Sequence, residues 1–333
     1  MNNFFKLFAS CIPVRGVSRS TLCDMQRGQI RFIPNDLCDL LLKFESSTFN
    51  EILLHYGKEH ERTLTEYFEF LVENEFGFWC EDPSLFPNID NLWESASIIE
   101  NGIIDVNQLS NHNFEHIFNE YSAVGCNALE IRFFDYYPLS ELKSILLFLE
   151  TSRISTVNIL LKYSDSFDFL DLLSILNTYV RVNAISIHSA PPDKLNGLNK
   201  NRKISFFETE ITSNNLCGNI GMKYFVVDQD TFFESQNYNT CLNKKVSIDV
   251  NGDVKNCPSL RSVYGNIKRI SLKKCLETTT IRDLWSTSKE QIETCKECEF
   301  RHVCTDCRAF LNSDNSKEKP EKCKYNPLTM EWG

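Results

Sequence analysis

The sequence predicts an α/β protein in three parts: a small module of strands then helices, a run of alternating strands and helices, and a cysteine-rich end. Three observations predict it. Residues 1–85 place short alternating strands ahead of amphipathic helices. Between 90 and 232, apolar strand segments recur roughly every 27 residues with helical segments between the early ones. From Cys241 onward, eight of the fourteen cysteines fall within 83 residues.

Composition bounds the possibilities. A chain of 333 residues with 42% hydrophobic and 24% charged side chains is an ordinary globular protein with a real core. Its net charge of −10 argues against a nucleic-acid scaffold, because phosphate binding needs clustered Lys and Arg. The start, "MNNFFKLFASCIPVRG", has no long apolar core and no small-residue cleavage site, so a signal peptide is not expected. The longest apolar run, "ILLFL" (145–149), is far too short to span a bilayer. The expectation is a cytoplasmic protein with no nucleic-acid and no membrane partner. In that compartment thiols stay reduced, so clustered cysteines read as metal ligands rather than disulfides. Cys11, Cys23, Cys38, Cys80 and Cys126 are scattered singly among hydrophobic residues and read as small buried side chains.

In the first part, "FKLFASCIPV" (5–14), "RSTLCDMQ" (19–26) and "QIRFI" (29–33) read as strands, with Gly16 and Gly28 at the turns. A helix follows in "NDLCDLLLKF", with Asn35 or Asp36 as N-cap and Leu37, Leu40, Leu41 and Phe44 on one face. A short helix spans 49–55. A third starts on the capping box Thr63-x-x-Glu66 and aligns Leu64, Tyr67, Phe68, Leu71 and Val72. Three strands followed by three helices make a winged-helix-like module. In this element order residues 1–85 resemble the PqqD-like recognition module, which implies that an extended leader peptide adds to the third strand and lies against the third helix.

The middle part follows the Pro-containing linker 81–90. Its strand candidates are 96–104, 128–134, 156–161, 183–188 and 203–208, and its helices 113–125, 139–152 and 167–180. That alternation predicts βαβ units in a parallel sheet or partial barrel. His112 and His116 stand four apart, but with no acidic third ligand nearby they read as surface or capping residues.

The third part, 235–333, opens on "CLNKKVSIDVNGDVKNCP" (241–258). Val246, Ile248 and Val250 alternate, and Asn251-Gly252 suits a type I′ turn, so a hairpin would bring Cys241 and Cys257 towards each other. "DVNGDV" is not a calcium loop, because its glycine falls at position 4 rather than 6. Next comes "CKECEFRHVCTDC": Cys295-x2-Cys298-x5-Cys304-x2-Cys307, then Cys323. Two close pairs let thiolates converge on one centre. Zinc ribbons separate their pairs more widely, and Pro258 after Cys257 suits an iron–sulfur ligand; zinc is the alternative.

The order C-x10-G-x4-C (241–257), C-x2-C-x5-C-x2-C (295–307), then Cys323 resembles the SPASM domain, usually C-terminal in radical S-adenosylmethionine (SAM) peptide maturases. One interval departs: two residues before Cys307 where that family more often has three. The resemblance implies two auxiliary 4Fe–4S clusters. Cys241, Cys257 and Cys307 would bind the first, while Cys295, Cys298, Cys304 and Cys323 would bind the second. A fourth ligand to the first is absent from "FFESQNYNTC"; Cys217 in "NNLCGNIG" is the candidate, ahead of Cys275.

A radical SAM enzyme needs a C-x3-C-x2-C loop after its first barrel strand, and no such motif occurs in the chain. The Gly-Gly-Glu-Pro turn of that family's second strand is reduced here to the proline of "IRFFDYYPLS" (131–140). SAM cleavage is therefore not expected, and the middle part reads as a degenerate radical-SAM-like (β/α) partial barrel. The stretches "CEFRHVCTDCRAF" and "DVNGDVKNCPS" resemble the SPASM-domain peptide maturase of "grasp-with-spasm" systems. That resemblance implies a ribosomally made precursor peptide and an ATP-grasp ligase as partners, the ligase forming the ester or amide bonds. No phosphate-binding Gly-rich loop and no catalytic residue is found in this chain. Three readings follow: an accessory protein that binds the leader and presents the core peptide, a peptide-modifying or redox enzyme using an open cluster iron, or a zinc-stabilised peptide-binding adaptor.

Overall fold

A computed structural model describes residues 3–198, 203–277, 279–312, 315 and 317–333. The chain forms two compact units that interleave along the sequence. One comprises 1–94, 219–240 and 287–333; the other comprises 95–218 and 241–286.

The first unit begins with β1 (Phe4–Leu7), β2 (Cys11–Val14), β3 (Ser20–Asp24) and β4 (Gln29–Ile33), then α1 (Asn35–Lys43), α2 (Phe49–Tyr56), α3 (Glu61–Glu73) and β5 (Gly77–Cys80). The single strand expected over 5–14 is two. A turn at 8–10, closed by Cys11 N–H donating to Phe8 O at 2.8 Å, sends the halves to different sheets. β2, β3 and β4 form one antiparallel sheet, while β1 pairs with β5. That second pairing needs Gly77, where a Cβ would lie 2.7 Å from the Lys6 carbonyl oxygen. Leu37, Leu40 and Leu41 of α1 pack with Ile52, Leu64, Phe68 and Leu71 to make the module's core.

Helix starts differ from the expected caps. Pro34 precedes α1, and Asn35 turns its amide elsewhere, accepting from Ser20 Oγ at 2.6 Å and donating to Val17 O. α3 begins at Glu61, because a 3-10 turn at Lys58–His60 runs straight into it. Thr63 is thereby inside the helix, and Glu66 pairs with Arg62 instead of capping. The capping box belongs to α2: Thr48 Oγ1 accepts from Glu51 N–H, and the Glu51 carboxylate accepts from Thr48 N–H.

The second unit holds β6 (Asn101–Val106), α4 (Phe114–Ala123), β7 (Ala128–Phe133), α5 (Leu139–Leu146), β8 (Thr156–Lys162), α6 (Phe169–Thr178), β9 (Val182–His188), α7 (Pro192–Leu198) and β10 (Ile204–Phe206), then β11 (Lys245–Ile248), β12 (Asp253–Lys255) and β13 (Gly265–Asn266). These build one mostly parallel eight-stranded sheet in the order β10-β9-β8-β7-β6-β11-β12-β13, antiparallel only from β11 to β13. The expected strand over 96–104 starts at Asn101. Asn113, Asp168 and Pro138 stand at the starts of α4, α6 and α5, the first two accepting backbone N–H bonds.

Alternation assigns the two faces of this sheet. Ile104, Val106, Leu129, Ile131, Phe133, Ile159, Leu161, Val246 and Ile248 join the helices in the core. The intervening positions put Asp105, Glu130, Arg132, Asn158, Lys162 and Lys245 on the opposite face. The hairpin turn between β11 and β12 is not type I′. Only Gly252 has positive φ (84°), Gly252 N–H donates to Asp249 O at 2.9 Å, and Asp249 N–H donates to Asp253 O at 3.0 Å. This is a type I turn closed by a left-handed glycine, stabilised because the Asp249 carboxylate accepts from the Asn251 and Asp253 amides.

The first unit is completed by α8 (Gln229–Asn237), β14 (Tyr325–Asn326) and β15 (Glu331–Trp332), around loops and 3-10 turns over 287–312. Among the described residues no helix is long and apolar enough to cross a membrane.

Candidate metal centres

In the first unit, Cys295, Cys298, Cys304, Cys307 and Cys323 lie in a 3-10 turn, a bend and irregular loops rather than on strands. Cys298 N–H donates to Cys295 O at 3.0 Å, Cys304 N–H to Phe300 O at 3.0 Å, and Cys323 N–H to Pro320 O at 3.0 Å. Phe300 anchors the loop, its ring 5.0 Å from Phe225 and 5.1 Å from Tyr325. Glu299, 1% exposed, fastens the loop to β3 and the segment before it. It accepts from Arg19 Nε at 2.7 Å and from the Tyr325 hydroxyl, while its carbonyl accepts from Thr21 Oγ1. Cys298, Cys304 and Cys323 pack against the apolar cluster of Val14, Cys23, Phe232 and Phe300.

Burial governs the electrostatics there. It pushes the Cys295 thiol up to about 12, with Asp306 adding to the effect, and the Cys304 thiol up to about 11, offset in part by Lys289. Cys298 is raised furthest, again chiefly by burial. Cys304 lies within electrostatic reach of Cys295, Cys298 and Cys323, so these four thiols share one neighbourhood. Two cations adjoin it. Lys289, 5% exposed, donates to Cys304 O. Arg308 pairs with buried Asp306, which also accepts from Asn239 Nδ2 at 3.0 Å. Burial also holds His302 neutral, down to about 3.

The second unit carries Cys217, Cys241, Cys257 and Cys275. Cys241 precedes β11 and Cys257 follows β12, so the hairpin returns the second thiol towards the first. Asn256 closes the base by donating from Nδ2 to Leu242 O and Lys245 O. Lys245 senses both thiols: burial, the largest single effect, weakens its charge, but Cys241, Cys257 and Glu130 together leave it raised, with Nζ 3.8 Å from Cys241 Sγ. Cys217 Sγ accepts from Arg132 Nη1 at 3.0 Å. The same guanidinium grips Asp105 in two bonds of 2.7 and 2.9 Å. Burial opposes the Arg132 charge, and Asp105, with smaller help from Cys217 and Glu130, more than offsets it. Cys275 is fully buried, its Sγ donating to Tyr264 O at 3.6 Å.

Of the scattered cysteines, Cys11, Cys23, Cys38 and Cys126 are buried and Cys80 half-buried. His112 is half-buried rather than on the surface and bonds Asp105 O through Nε2 at 2.9 Å; His116 is exposed.

Sequence reasoning missed the cations. Lys245, Arg132 and Asp105 could have been found as charges inside otherwise apolar strand segments, such as "IIDV" and "EIRFF". Nothing local marks Lys289. Among the described residues, no three Cys, His, Asp or Glu side chains are arranged to hold one ion. The donor type nonetheless fits: bunched, mostly half-buried thiols with cations at their margin are soft ligands whose thiolate form a bound metal would stabilise.

A comparison with curated proteins finds no match. Among solved structures, Streptococcus suis SuiB bound to S-adenosylmethionine is 12% identical, with 95% of this chain and 99% of that chain covered and a TM-score of 0.33. SuiB bound to precursor peptide SuiA is 9% identical over the same shares, with a TM-score of 0.35. Residues 240–299 match the SPASM family, an iron–sulfur cluster-binding domain, in a span that includes Cys241, Cys257, Cys295 and Cys298 and stops before Cys304.

Proposed function

We propose that this protein is an accessory factor in the maturation of a ribosomally made peptide, of the grasp-with-spasm kind. It binds the precursor's leader and presents the core peptide to an ATP-grasp ligase, with two auxiliary 4Fe–4S clusters shaping the site. The observation that carries the reading is the neighbourhood shared by Cys295, Cys298, Cys304 and Cys323, the first two inside a segment that matches an iron–sulfur cluster-binding domain and the others beyond its end. These four would hold one cluster; Cys241, Cys257 and Cys307 would hold the other. Such clusters supply structural cross-linking and, where an iron stays open, electron transfer or coordination of a substrate group.

The chain's own residues do the rest. Lys289 and Arg308 would offset thiolate charge around the second set, and Lys245 around Cys241 and Cys257. The winged-helix-like, PqqD-like module would take the leader by strand addition at β4, which among the described residues pairs only with β3 and exposes Gln29, Arg31 and Phe32. The sheet of the second unit, read as a degenerate radical-SAM-like partial barrel without C-x3-C-x2-C, would serve as platform.

A second reading, an enzyme working at an open first cluster, is favoured by one contact. Cys217, the candidate fourth ligand, is engaged by Arg132. A zinc-stabilised adaptor is the third.

Anaerobic purification followed by iron, sulfide and zinc analysis tests the cofactor. About eight iron and eight sulfide per chain are expected, and about two zinc without sulfide would replace the clusters by structural metal. Precursor binding is tested by calorimetry on the full chain, because residues 1–94 share a unit with 287–333 and cannot be cut away cleanly. Arg31→Glu/Phe32→Ser should weaken it at least tenfold or so; unchanged affinity would remove leader binding from β4.

A further inference from the structure

Lys245 is the first residue of β11. The register of the hairpin sets Ser247 opposite Lys255 and Ile248 opposite Val254, and counted two residues further towards the base it sets Lys245 opposite Cys257. Asn256 fastens the base at that point, its Nδ2 donating to Lys245 O at 2.6 Å. Lys245 Nζ also lies 3.8 Å from the sulfur of Cys241, four residues back along the chain. One ammonium therefore adjoins both thiols that frame the hairpin.

This cation has no carboxylate of its own. Among the described residues Lys245 forms no ion pair, and Cys241 Sγ is the one hydrogen-bond partner of its side chain. Lys255, its neighbour in the hairpin, is by contrast paired with Asp249 at 3.0 Å. Burial works against the Lys245 charge, while Cys241, Cys257 and Glu130 together favour it. Set against two neutral thiols a half-buried ammonium is poorly compensated; set against two metal-bound thiolates it is matched. The thiols of the first unit are balanced differently. Lys289 gives its bond to Cys304 O, and Arg308 pairs with Asp306, a carboxylate that adds to burial in raising Cys295. There a cation arrives together with an anion.

Resting on the reading that Cys241 and Cys257 hold a 4Fe–4S cluster, we propose that Lys245 tunes it. By donating to Cys241 Sγ, Lys245 raises that cluster's reduction potential above that of the set held by Cys295, Cys298, Cys304 and Cys323. Cluster potentials follow local charge and hydrogen bonds to sulfur, and a fixed cation favours the form that carries one electron more. An electron delivered by a low-potential one-electron carrier, which is oxidised in turn, comes to rest at the Cys241 and Cys257 set, and no bond forms or breaks. Lys245 thus gives the two sets an order of reduction.

The test is a mediated redox titration of the anaerobically purified full chain with dithionite, followed by electron paramagnetic resonance, with iron and sulfide measured on the same sample. Two midpoints are expected, and Cys298→Ser/Cys304→Ser, which keeps the Cys241 and Cys257 set, should retain the higher one. Lys245→Met should lower that midpoint by about 59 mV, a tenfold change in the one-electron equilibrium, at unchanged iron content. Lys245→Gln, which keeps a donor without the charge, should move it in the same direction, and Lys245→Arg should hold it in place. Lys273→Met, which removes an exposed charge from the helix Leu272–Glu277, should not shift it. An unmoved midpoint in Lys245→Met, an equal shift in Lys273→Met, or a higher midpoint that belongs to the other set would overturn the proposal. Failure of both Lys245→Met and Lys245→Gln to load would make Lys245 an assembly residue and end the tuning role. A chain that carries no iron and sulfide overturns the cluster reading itself, so the two failures are told apart.

Discussion

The thiols of the two units are prepared in different ways. In the first unit, Cys295, Cys298 and Cys304 are neighbours in sequence on consecutive turns, Cys298 and Cys304 pack against one apolar cluster, and desolvation raises all three thiols. Their cations, Lys289 and Arg308, stand at the margin, Lys289 bonding the Cys304 carbonyl and Arg308 pairing with Asp306. In the second unit three thiols face a cation on a strand: Lys245 beside Cys241 and Cys257, and Arg132 against Cys217. The first arrangement disfavours thiolates until something positively charged arrives. The second carries its countercharge already. Thiol sites made by local spacing would therefore depend on a metal to stabilise their thiolates, while those made by sheet geometry would also draw on the sheet's own charges.

The comparison breaks most visibly at the first unit's thiols. Cys298→Ser/Cys304→Ser should remove about half of the iron and sulfide, roughly four of each, and leave the other set loaded. Loss of all metal, measured by the same analysis, would mean that the two sets do not load independently.

Arg132→Met probes the second unit. It leaves Asp105 as a buried carboxylate without its bidentate partner, at a cost of about 3–5 kcal/mol in urea unfolding. Adding Asp105→Leu should restore much of that loss, since the charge to be compensated is gone. No recovery in the double variant would show that Arg132 matters for something other than Asp105.

A pH dependence sharpens the contrast, because two imidazoles of the second unit are held neutral below their usual 6.5, chiefly by burial. His188 Nε2–H donates to Phe133 O at 3.1 Å while Nδ1 accepts from Ile211 N–H, and His112 donates to Asp105 O. Below pH 6.5 the unfolded chain binds protons that the folded chain refuses. Stability is therefore present above that pH and drains as pH falls, by at most about 1.4 kcal/mol per pH unit for each histidine. His188→Gln should flatten the slope between pH 6.5 and 5; an unchanged slope would take His188 out of the account.

The smallest effect is at the hairpin. Gly252 holds φ 84° with Asn266 atoms 3.4 Å from where a Cβ would stand, so Gly252→Ala should cost about 1 kcal/mol in unfolding. A neutral result would show that the turn relaxes without help from glycine.

Much of the strand pattern was legible because alternation is local. The strands at 128–133, 156–162 and 182–188 stand where apolar periodicity put them, each buried on the helix side. Caps were less legible. Thr63-x-x-Glu66 has the right spelling, but a preceding 3-10 turn and the Arg62 partner absorbed both residues, whereas Thr48 and Glu51 form the box at α2. Asn251-Gly252 likewise spells one turn type and adopts another, because Asp249 captures two amides of the loop.

By itself the sequence determined which residues are bunched thiols, which strands are apolar on one side, and that C-x3-C-x2-C is missing; all of these are properties of spacing. Only the tertiary structure decided that residues 287–333 fold with 1–94, that 241–286 fold with 95–218, and that Arg132 meets a thiol 85 residues away. The physical reason is range: periodicity and turn chemistry act over a few residues, whereas burial and charge act through space, where chain order carries no distance.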